Sequence, residues 1–528
     1  MTNFITKTRC APRRVLIVAP PYRLSPTIFP LGLMYIAAVL QKAGHQVDLI
    51  DMDVINLSEA EFTKQLRERD YDYLCTGGMI TTWNFLRFAC DYAKTVKPQA
   101  TVIVGGGIIT STPQSFLSVS KADIGVIGEG EETVLDILDA IENRKFLGTV
   151  PGIVYREGGR IVETPKRAAI QDLDSIPFPA WDLFNVRDVY SRFPSHHSLF
   201  HAKRIGTIYT TRGCPFQCTF CYTEKKVRQR SVGNVIEEIK EMKSRYGIRH
   251  IKIADDLFVV RKERTIEFCE AVIREKLNIS WSATGRCNIV EPKFLAIMKK
   301  AGCTFLGLGI ESGSGPVLKA MKKNQTPQQI VEAVKMVQAA GITPGGTFIL
   351  GMPGETHETV RETVALYKEI NKYRTHVNRF FFATPYPGTP LYEHLRSQNK
   401  IQNEIEFFKL LSEKGDAVDF VINCTEELRD DEIERIKKEI EKEIFQDFLK
   451  KHFWIGVRQH LMEKTPLGKI HNMLLTFKMR GLGWGMRFLW IKLLVKLKRV
   501  PDPYARRWAF NRCSTQTENL IQDKTATF

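Results

Sequence analysis

Two series of short β-branched runs, each alternating with stretches of helical periodicity, constrain this chain more than any other feature. In the first series the strand-like runs are Val15–Val18, Val47–Ile50, Tyr71–Leu74, Thr101–Val104 and Ile124–Ile127. Leu33, Ile36, Ala37 and Leu40 recur at helical spacing after the first of them, and Gly44 closes that helix. From the third run onward each ends at glycine: Gly77-Gly78, then Gly105-Gly106-Gly107, then Gly128-Glu129-Gly130. Strands apolar along their whole length belong in a parallel sheet covered on both faces, and ligands of such sheets lie beyond the carboxyl edge. One glycine cluster is equally well a tight turn. Three on one edge favour a large ligand.

The second series runs from 205 to about 395, with strands expected at Ile205–Thr210, Ile251–Ala254, Ser280–Thr284, Thr304–Gly309, Gly346–Leu350 and Phe380–Thr384. Amphipathic helices such as Val235–Tyr246 and Gln328–Ala340 separate them. Six β/α steps point to an open or closed α/β barrel with its functional groups on the loops after the strands. The organisation expected is therefore α/β throughout: a doubly wound Rossmann-type domain over 1–145, a linker over 146–200 with Pro- and aromatic-rich punctuation at Ile176–Trp181, and a barrel over 201–400. A helical basic region over 401–528 follows, opening with a surface helix at 426–451.

Eleven cysteines among 528 residues are far too few for a disulfide scaffold. No continuous span of about 20 apolar residues occurs, so no transmembrane helix is expected. The amino terminus has no signal-peptide core. A cytoplasmic location follows as the expectation, with cysteines kept as thiols or metal ligands.

Three cysteines stand together. Cys214-Pro-Phe-Gln-Cys218-Thr-Phe-Cys221 comes directly after the first barrel strand and the turn Arg212-Gly213. Thiolates bind iron–sulfur clusters, and three of them cap three corners of a cubane whose fourth iron stays open to chelate a ligand. A zinc site and three inert buried thiols are the alternatives. Zinc usually wants a fourth local ligand, and His201 and His250 are not at zinc-finger spacing.

This C-x-x-x-C-x-aromatic-C loop at the end of the first barrel strand resembles the radical S-adenosylmethionine (SAM) superfamily. The resemblance implies that Cys214, Cys218 and Cys221 hold a [4Fe-4S] cluster. Its open iron would bind SAM, and an electron from a flavodoxin- or ferredoxin-type donor would release a 5′-deoxyadenosyl radical. Phe220 would line the adenine side. Asp255 and Asp256, in Ile251-Lys-Ile-Ala-Asp-Asp256, occupy the second-strand position that contacts the SAM amino group, although the more usual Gly-Gly-Glu is absent. Arg286 and Glu311 become candidates for the SAM carboxylate and ribose, with a structural ion pair as the plainer reading. Gly346, in Gly346-Thr-Phe-Ile-Leu-Gly-Met-Pro-Gly-Glu355, would admit adenine.

A parallel α/β domain ahead of such a barrel resembles the cobalamin-binding radical SAM enzymes. Pro30–Leu40, Val104–Gly107 and Ile127–Glu132 carry that likeness, which implies cobalamin near Gly105, Gly106, Gly107, Gly128, Glu129 and Gly130. The Asp-x-His-x-x-Gly motif that ligates cobalt from below elsewhere is absent, and His45 reads as a surface turn residue. A methylthiotransferase is disfavoured because Cys10, Cys75 and Cys90 are scattered singly. No side-chain general base is demanded by the first step, so no catalytic residue is assigned. Tyr222, Glu224 and Tyr386 are candidates for steering substrate.

The charge of +17 is concentrated near the carboxyl end. From Lys450 to Arg512, 15 Lys plus Arg stand against Glu463 and Asp502, a net of +13. Trp484, Phe488, Ile491 and Val495 fall on one helical stripe; Lys492, Lys496 and Arg499 fall on another. That composition suits a helix lying in an anionic membrane interface, with a core-packing helix as the alternative. Nucleic acid is not expected. Joined to the barrel, the tail suggests a methylase of a hydrophobic molecule, a hopanoid or polyisoprenoid lipid first, at the inner face of a membrane. Two other readings stay open: cobalamin-dependent cyclisation, rearrangement or oxidation of a tetrapyrrole or other small molecule, and a non-catalytic cobalamin or iron–sulfur sensor.

Overall fold

A computed structural model describes residues 10–21, 29–52, 57–184, 205–371, 376–414 and 421–451. Its first sheet contains β1 (Arg14–Ala19), β2 (Gln46–Asp51), β3 (Tyr73–Gly77), β4 (Thr101–Gly105) and β5 (Ile124–Val126), parallel and in the order β2-β1-β3-β4-β5. Val15 to Ala19 are almost wholly buried because helices cover the sheet, and only a strand apolar at every position suits that environment. Helix Leu31–Lys42 packs on Glu131–Glu142, and Glu59–Glu68 on Trp83–Val96. The order reverses between β1 and β3. Such a switch point opens a crevice at the carboxyl edge.

The segment read as a linker is partly sheet. β6 (Ile153–Glu157) pairs antiparallel with β5, and β7 (Arg160–Glu163) pairs with β6. Gly158 and Gly159 turn this hairpin with φ of +54° and +79°, the conformation a two-residue hairpin loop demands. The alternating run was short, and the Gly-Gly pair was its one clear signal.

The second series opens with β8 (Ile205–Ile208), followed by a two-residue antiparallel clasp of β9 (Thr211–Arg212) with β10 (Arg228–Gln229). Next come β11 (His250–Ile253), β12 (Ser280–Gly285), β13 (Cys303–Glu311), β14 (Thr343–Leu350) and β15 (His376–Phe382). The sheet order β15-β14-β13-β12-β11-β8 is parallel throughout, with β8 and β15 at its edges, so the barrel is open. Outer-face packing is anchored by Trp281, whose ring meets Phe258 and Phe268 edge-on at 5.6 and 5.5 Å. Its indole N–H donates to the Ala301 carbonyl at 2.9 Å. Helix Val232–Tyr246 starts at the Ser231 cap and stops at Gly247, left-handed at φ +65°.

Both sheets belong to a compact unit ending at Glu427, and a second unit begins at Leu428. The boundary expected at 401 therefore moves. Helix Glu404–Lys414 packs on the first sheet's layer, where Phe408 lies 5.1 Å from the Trp83 ring and the Ser412 hydroxyl accepts from the Asn84 N–H at 3.0 Å. Phe408 and Leu411 supply the apolar stripe that docks it. In the second unit, helix Asp430–Lys451 buries Ile433, Ile436 and Ile440 along one face, so it is amphipathic rather than wholly solvated. The basic stretch beyond residue 451 lies outside the described residues. Among the described residues, no helix is long and apolar enough to cross a membrane. His45 is also corrected. It is buried, and its Nδ1 accepts the Arg13 backbone N–H at 3.2 Å, with burial lowering its pKa.

Candidate active site

The cysteine loop is closed at its base by the β9–β10 clasp. Gly213 enters it at φ +89°, where a Cβ would sit 2.6 Å from the Lys226 carbonyl oxygen and 2.8 Å from that of Glu224. Only glycine permits that approach. The Cys214 N–H donates to the Glu224 carbonyl at 2.8 Å, and the Cys221 N–H to the Cys218 carbonyl at 3.3 Å. Thr219 ties the loop outward, donating to Met321 and accepting from Leu391. Cys218 is buried, Cys214 and Cys221 are half-buried, and all three are free thiols. Burial raises the Cys214 pKa and pushes Cys221 up to about 11, with Asp256 and the neighbouring thiols adding to it. Among the described residues, no three His, Cys, Asp or Glu side chains form a closed single-ion ligand set. The donor set fits a cluster held by three sulfurs spread along one loop, with no fourth protein ligand required.

Arg286, just beyond β12, reaches this loop from the barrel. Its Nη1 lies 3.6 Å from Cys218 Sγ, its guanidinium stacks 3.7 Å over the Phe216 ring, and Nη2 donates to the Lys323 carbonyl. Glu311, at the end of β13, takes φ +65° in a bulge between Gly309 and itself. Its carboxylate accepts from Lys323 Nζ at 2.8 Å and from the Thr347 hydroxyl at 3.3 Å. Arg286 and Glu311 are thus not partners of each other. Lys323 stands between them, 5.8 Å over the Phe220 ring, and no local motif marks it in the sequence. The space at Gly346 is taken by Ile310, whose Cδ1 would lie 2.2 Å from an added Cβ, so that glycine serves strand packing.

The two aspartates after β11 part company. Asp255 is buried and accepts the Thr210 N–H at 2.6 Å, the Thr210 hydroxyl at 2.5 Å and the Thr211 N–H at 3.1 Å. It braces the chain entering the cysteine loop. Asp256 is exposed and accepts the Gly213 N–H, close enough for its charge to raise the Cys214 and Cys221 thiols.

On the first sheet, Gly106 has φ +83°, and a Cβ there would lie 2.8 Å from the Gly78 carbonyl. Gly107 and Gly128 are exposed, and nothing lies within 4 Å of a Cβ built at Gly128. Met79, after β3 at the switch point, is 53% exposed. This open, backbone-lined edge fits a flat macrocycle. Gly130 instead packs against Ile36, at 2.9 Å from an added Cβ.

Glu129 points elsewhere. It accepts from Arg212 at 2.5 Å, Arg228 at 2.9 Å and the Ile170 N–H at 2.7 Å. Burial alone would raise its pKa, but the arginines hold it below the usual range. Arg212 also bonds Glu131 at 2.5 Å, and Arg228 pairs with Glu224. Glu129 therefore straps the first sheet to the clasp beneath the cysteines. The two edges also meet at Gly388 (φ +83°), where an added Cβ would lie 2.6 Å from the Tyr222 ring and 3.5 Å from Ser111 Cβ. Ser111 ends the short helix after Gly106, and Tyr222 follows Cys221. Tyr386 lies nearby in sequence, its carbonyl accepting from Thr389.

Residues 208–367 match the radical SAM superfamily and residues 23–138 the B12 binding domain. An uncharacterized methyltransferase of Pyrococcus horikoshii is 33% identical over 397 residues, covering 73% of this chain and 84% of that protein. The anaerobic magnesium-protoporphyrin IX monomethyl ester cyclase of Cereibacter sphaeroides is 28% identical over 74% of this chain and 64% of its own length. The hopanoid C-3 methylase of Methylococcus capsulatus is 26% identical, over 72% and 71%. Among solved structures, the cobalamin-dependent SAM radical enzyme OxsB shares the fold, with a TM-score of 0.64 at 18% identity over 96% of this chain and 75% of that one. With both domains matched and a relative above 30% identity covered over most of its length, this chain belongs to the cobalamin-dependent radical SAM enzymes, whose cofactors are a [4Fe-4S] cluster, SAM and cobalamin.

Proposed function

We propose that this enzyme methylates a carbon atom of a large, mainly hydrophobic substrate. The observation that carries the reading is the junction at Ser111, Gly388 and Tyr222, where the open edge of the first sheet abuts the cysteine loop. Two cofactor sites facing each other across one seam suit a reaction in which a substrate carbon is first activated and then given a methyl group.

In this reading Cys214, Cys218 and Cys221 hold the cluster, and cobalamin lies over Met79, Gly106, Gly107 and Gly128. Bound there, these groups supply radical chemistry and a methyl group that protein side chains cannot. The chain's own residues bind and orient. Arg286 presents its guanidinium beside Cys218, placed for a SAM carboxylate. Asp256, exposed next to Gly213, is placed for an ammonium. Phe220 and the Lys323–Glu311 pair frame the opposite side. Tyr222, 48% exposed, offers an apolar face for substrate and helps to exclude water from the seam.

Support for a lipid of the hopanoid or polyisoprenoid kind comes from the hopanoid methylase relative and from the basic, Trp- and Phe-bearing tail. Binding of the full-length protein to anionic vesicles, lost on truncation before Lys450, tests the tail's part. The cyclase relative favours a second reading, ring closure or oxidation of a tetrapyrrole. Anaerobic turnover with methyl-labelled SAM separates the two: label in the product is expected, and a product without label replaces methyl transfer by the second reading.

A further inference from the structure

The inner face of the open barrel holds a cation that no other described group answers. Trp281 on β12 faces the outer helices, so Ser280, Ser282 and Thr284, which alternate with it, face inward. His250 on β11 bonds both Ser280 (2.8 Å) and Ser282 (3.2 Å), which puts it on that inner face. Lys252, two residues on, shares it. Lys252 stands in register with Ser282 on one side and with Thr207 of β8 on the other. Gly206, beside Thr207, faces outward against Met242 and Ile248, so Thr207 too faces inward.

Lys252 is half-buried and has neither hydrogen bond nor ion pair with any described residue. Burial lowers the pKa of its ammonium, and among the described residues no carboxylate acts on it. Two acids of the same barrel are otherwise engaged: Asp255 by Thr210 and Thr211, Glu311 by Lys323. His250, pushed down to about 4 by burial, is neutral at pH 7 and supplies no counter-charge. The remaining neighbours in register are the hydroxyls of Thr207 and Ser282 and, next to Ser282, the ring of Phe305. A desolvated ammonium without a partner is costly, and a bound anion removes the cost.

We infer that Lys252 anchors an acidic group of the substrate, a carboxylate or phosphate, inside the barrel. It lies three to four residues upstream of Asp255 and Asp256, roughly 10–13 Å along the strand from the cysteine loop. The inference rests on the barrel being the substrate's chamber and deepens that reading: the substrate is an amphiphile with an anionic end, Phe305 and the inner hydroxyls flanking the anchor. A purely hydrocarbon substrate would leave the ammonium unanswered.

The test uses the full-length reconstituted protein, with inorganic phosphate and acetate as probes. Trace acetylation by acetic anhydride, read peptide by peptide by mass spectrometry, reports the reactivity of each lysine. Phosphate or acetate should slow acetylation of Lys252 fivefold or more relative to chloride at equal ionic strength, while exposed Lys64 and Lys438 stay unchanged. No protection by either anion overturns the inference. Protection by SAM alone, with none from phosphate or acetate, assigns the lysine to the SAM carboxylate and overturns it equally. In a parallel measurement phosphate should raise the melting temperature of wild type and of Lys252→Arg but not of Lys252→Met; equal shifts in all three reject the site. Neither readout involves turnover, so a failure of methyl transfer is seen separately.

Discussion

The parallel strands of the two sheets meet at their carboxyl edges, which are equipped in opposite ways. The first sheet offers backbone. Gly106, Gly107 and Gly128 lie open, and the one ionised side chain of that cluster, Glu129, is turned away into a strap with Arg212 and Arg228. The barrel offers side chains: three thiols, Arg286 beside Cys218, exposed Asp256, and the Lys323–Glu311 pair. A broad macrocycle needs room and close backbone approach, which glycine provides. A cluster and a zwitterionic reagent need donors and charges at defined points, which only side chains provide.

Substitutions break this contrast in order of severity. Cys218→Ala should remove the cluster and lower product formation by at least on the order of a thousandfold, because the radical step has no side-chain substitute. Iron content and the visible spectrum check it, and cobalamin should remain bound, since no thiol serves the first edge.

Glu129→Ala comes next. It takes one carboxylate from Arg212, which keeps Glu131, and one from the almost fully buried Arg228, which keeps Glu224, so the loss should be a part of the about 3–5 kcal/mol that breaking a buried pair outright costs. Denaturant unfolding should show that loss. If Glu129 instead touched cobalamin, Glu129→Gln would shift the corrinoid absorption bands with little loss of stability.

Glu355 tests the barrel. Its carboxyl is fully buried, bonded to the Gly351 N–H, and pushed up to about 7 by desolvation from an unfolded value near 4.5. A raised carboxyl pKa favours the protonated fold. Its contribution is therefore complete below pH 4.5 and is lost as pH rises through 7, an effect of about 3 kcal/mol at most. Glu355→Gln should flatten the stability profile across that window in urea unfolding at a series of pH values.

The smallest effect is expected at Gly106→Ala. The residue occupies φ +83°, ψ −169°, a region nearly exclusive to glycine, at a cost of about 1–3 kcal/mol to any other side chain. The added methyl group would also press on the Gly78 carbonyl. Thermal unfolding and cobalamin retention report both consequences.

Much of this arrangement is legible in the chain before folding. Val15–Val18 or Thr304–Gly309 announce themselves because buried strands are mainly apolar, and the cysteine loop because its donors are seven residues apart at most. The hairpin Ile153–Glu163 is not legible in the sequence because two short strands resemble a punctuated connector until the sheet they extend is known. The roles of charged residues were least legible. Asp255 and Asp256 are adjacent and chemically identical, yet one braces Thr210 while the other faces the thiols. Glu129 lies 83 residues from Arg212 and 99 from Arg228.

By itself, then, the sequence determined the two series of parallel strands, the three clustered cysteines and the glycines at the end of β4 and after β5, because strand periodicity, residue spacing and backbone freedom are local properties. Only the tertiary structure decided which charges are spent on holding the protein together and which, like Arg286, Asp256 and Lys252, form no ion pair among the described residues. Electrostatic pairing depends on a few ångströms of separation between residues far apart in the chain, and no local pattern encodes that distance.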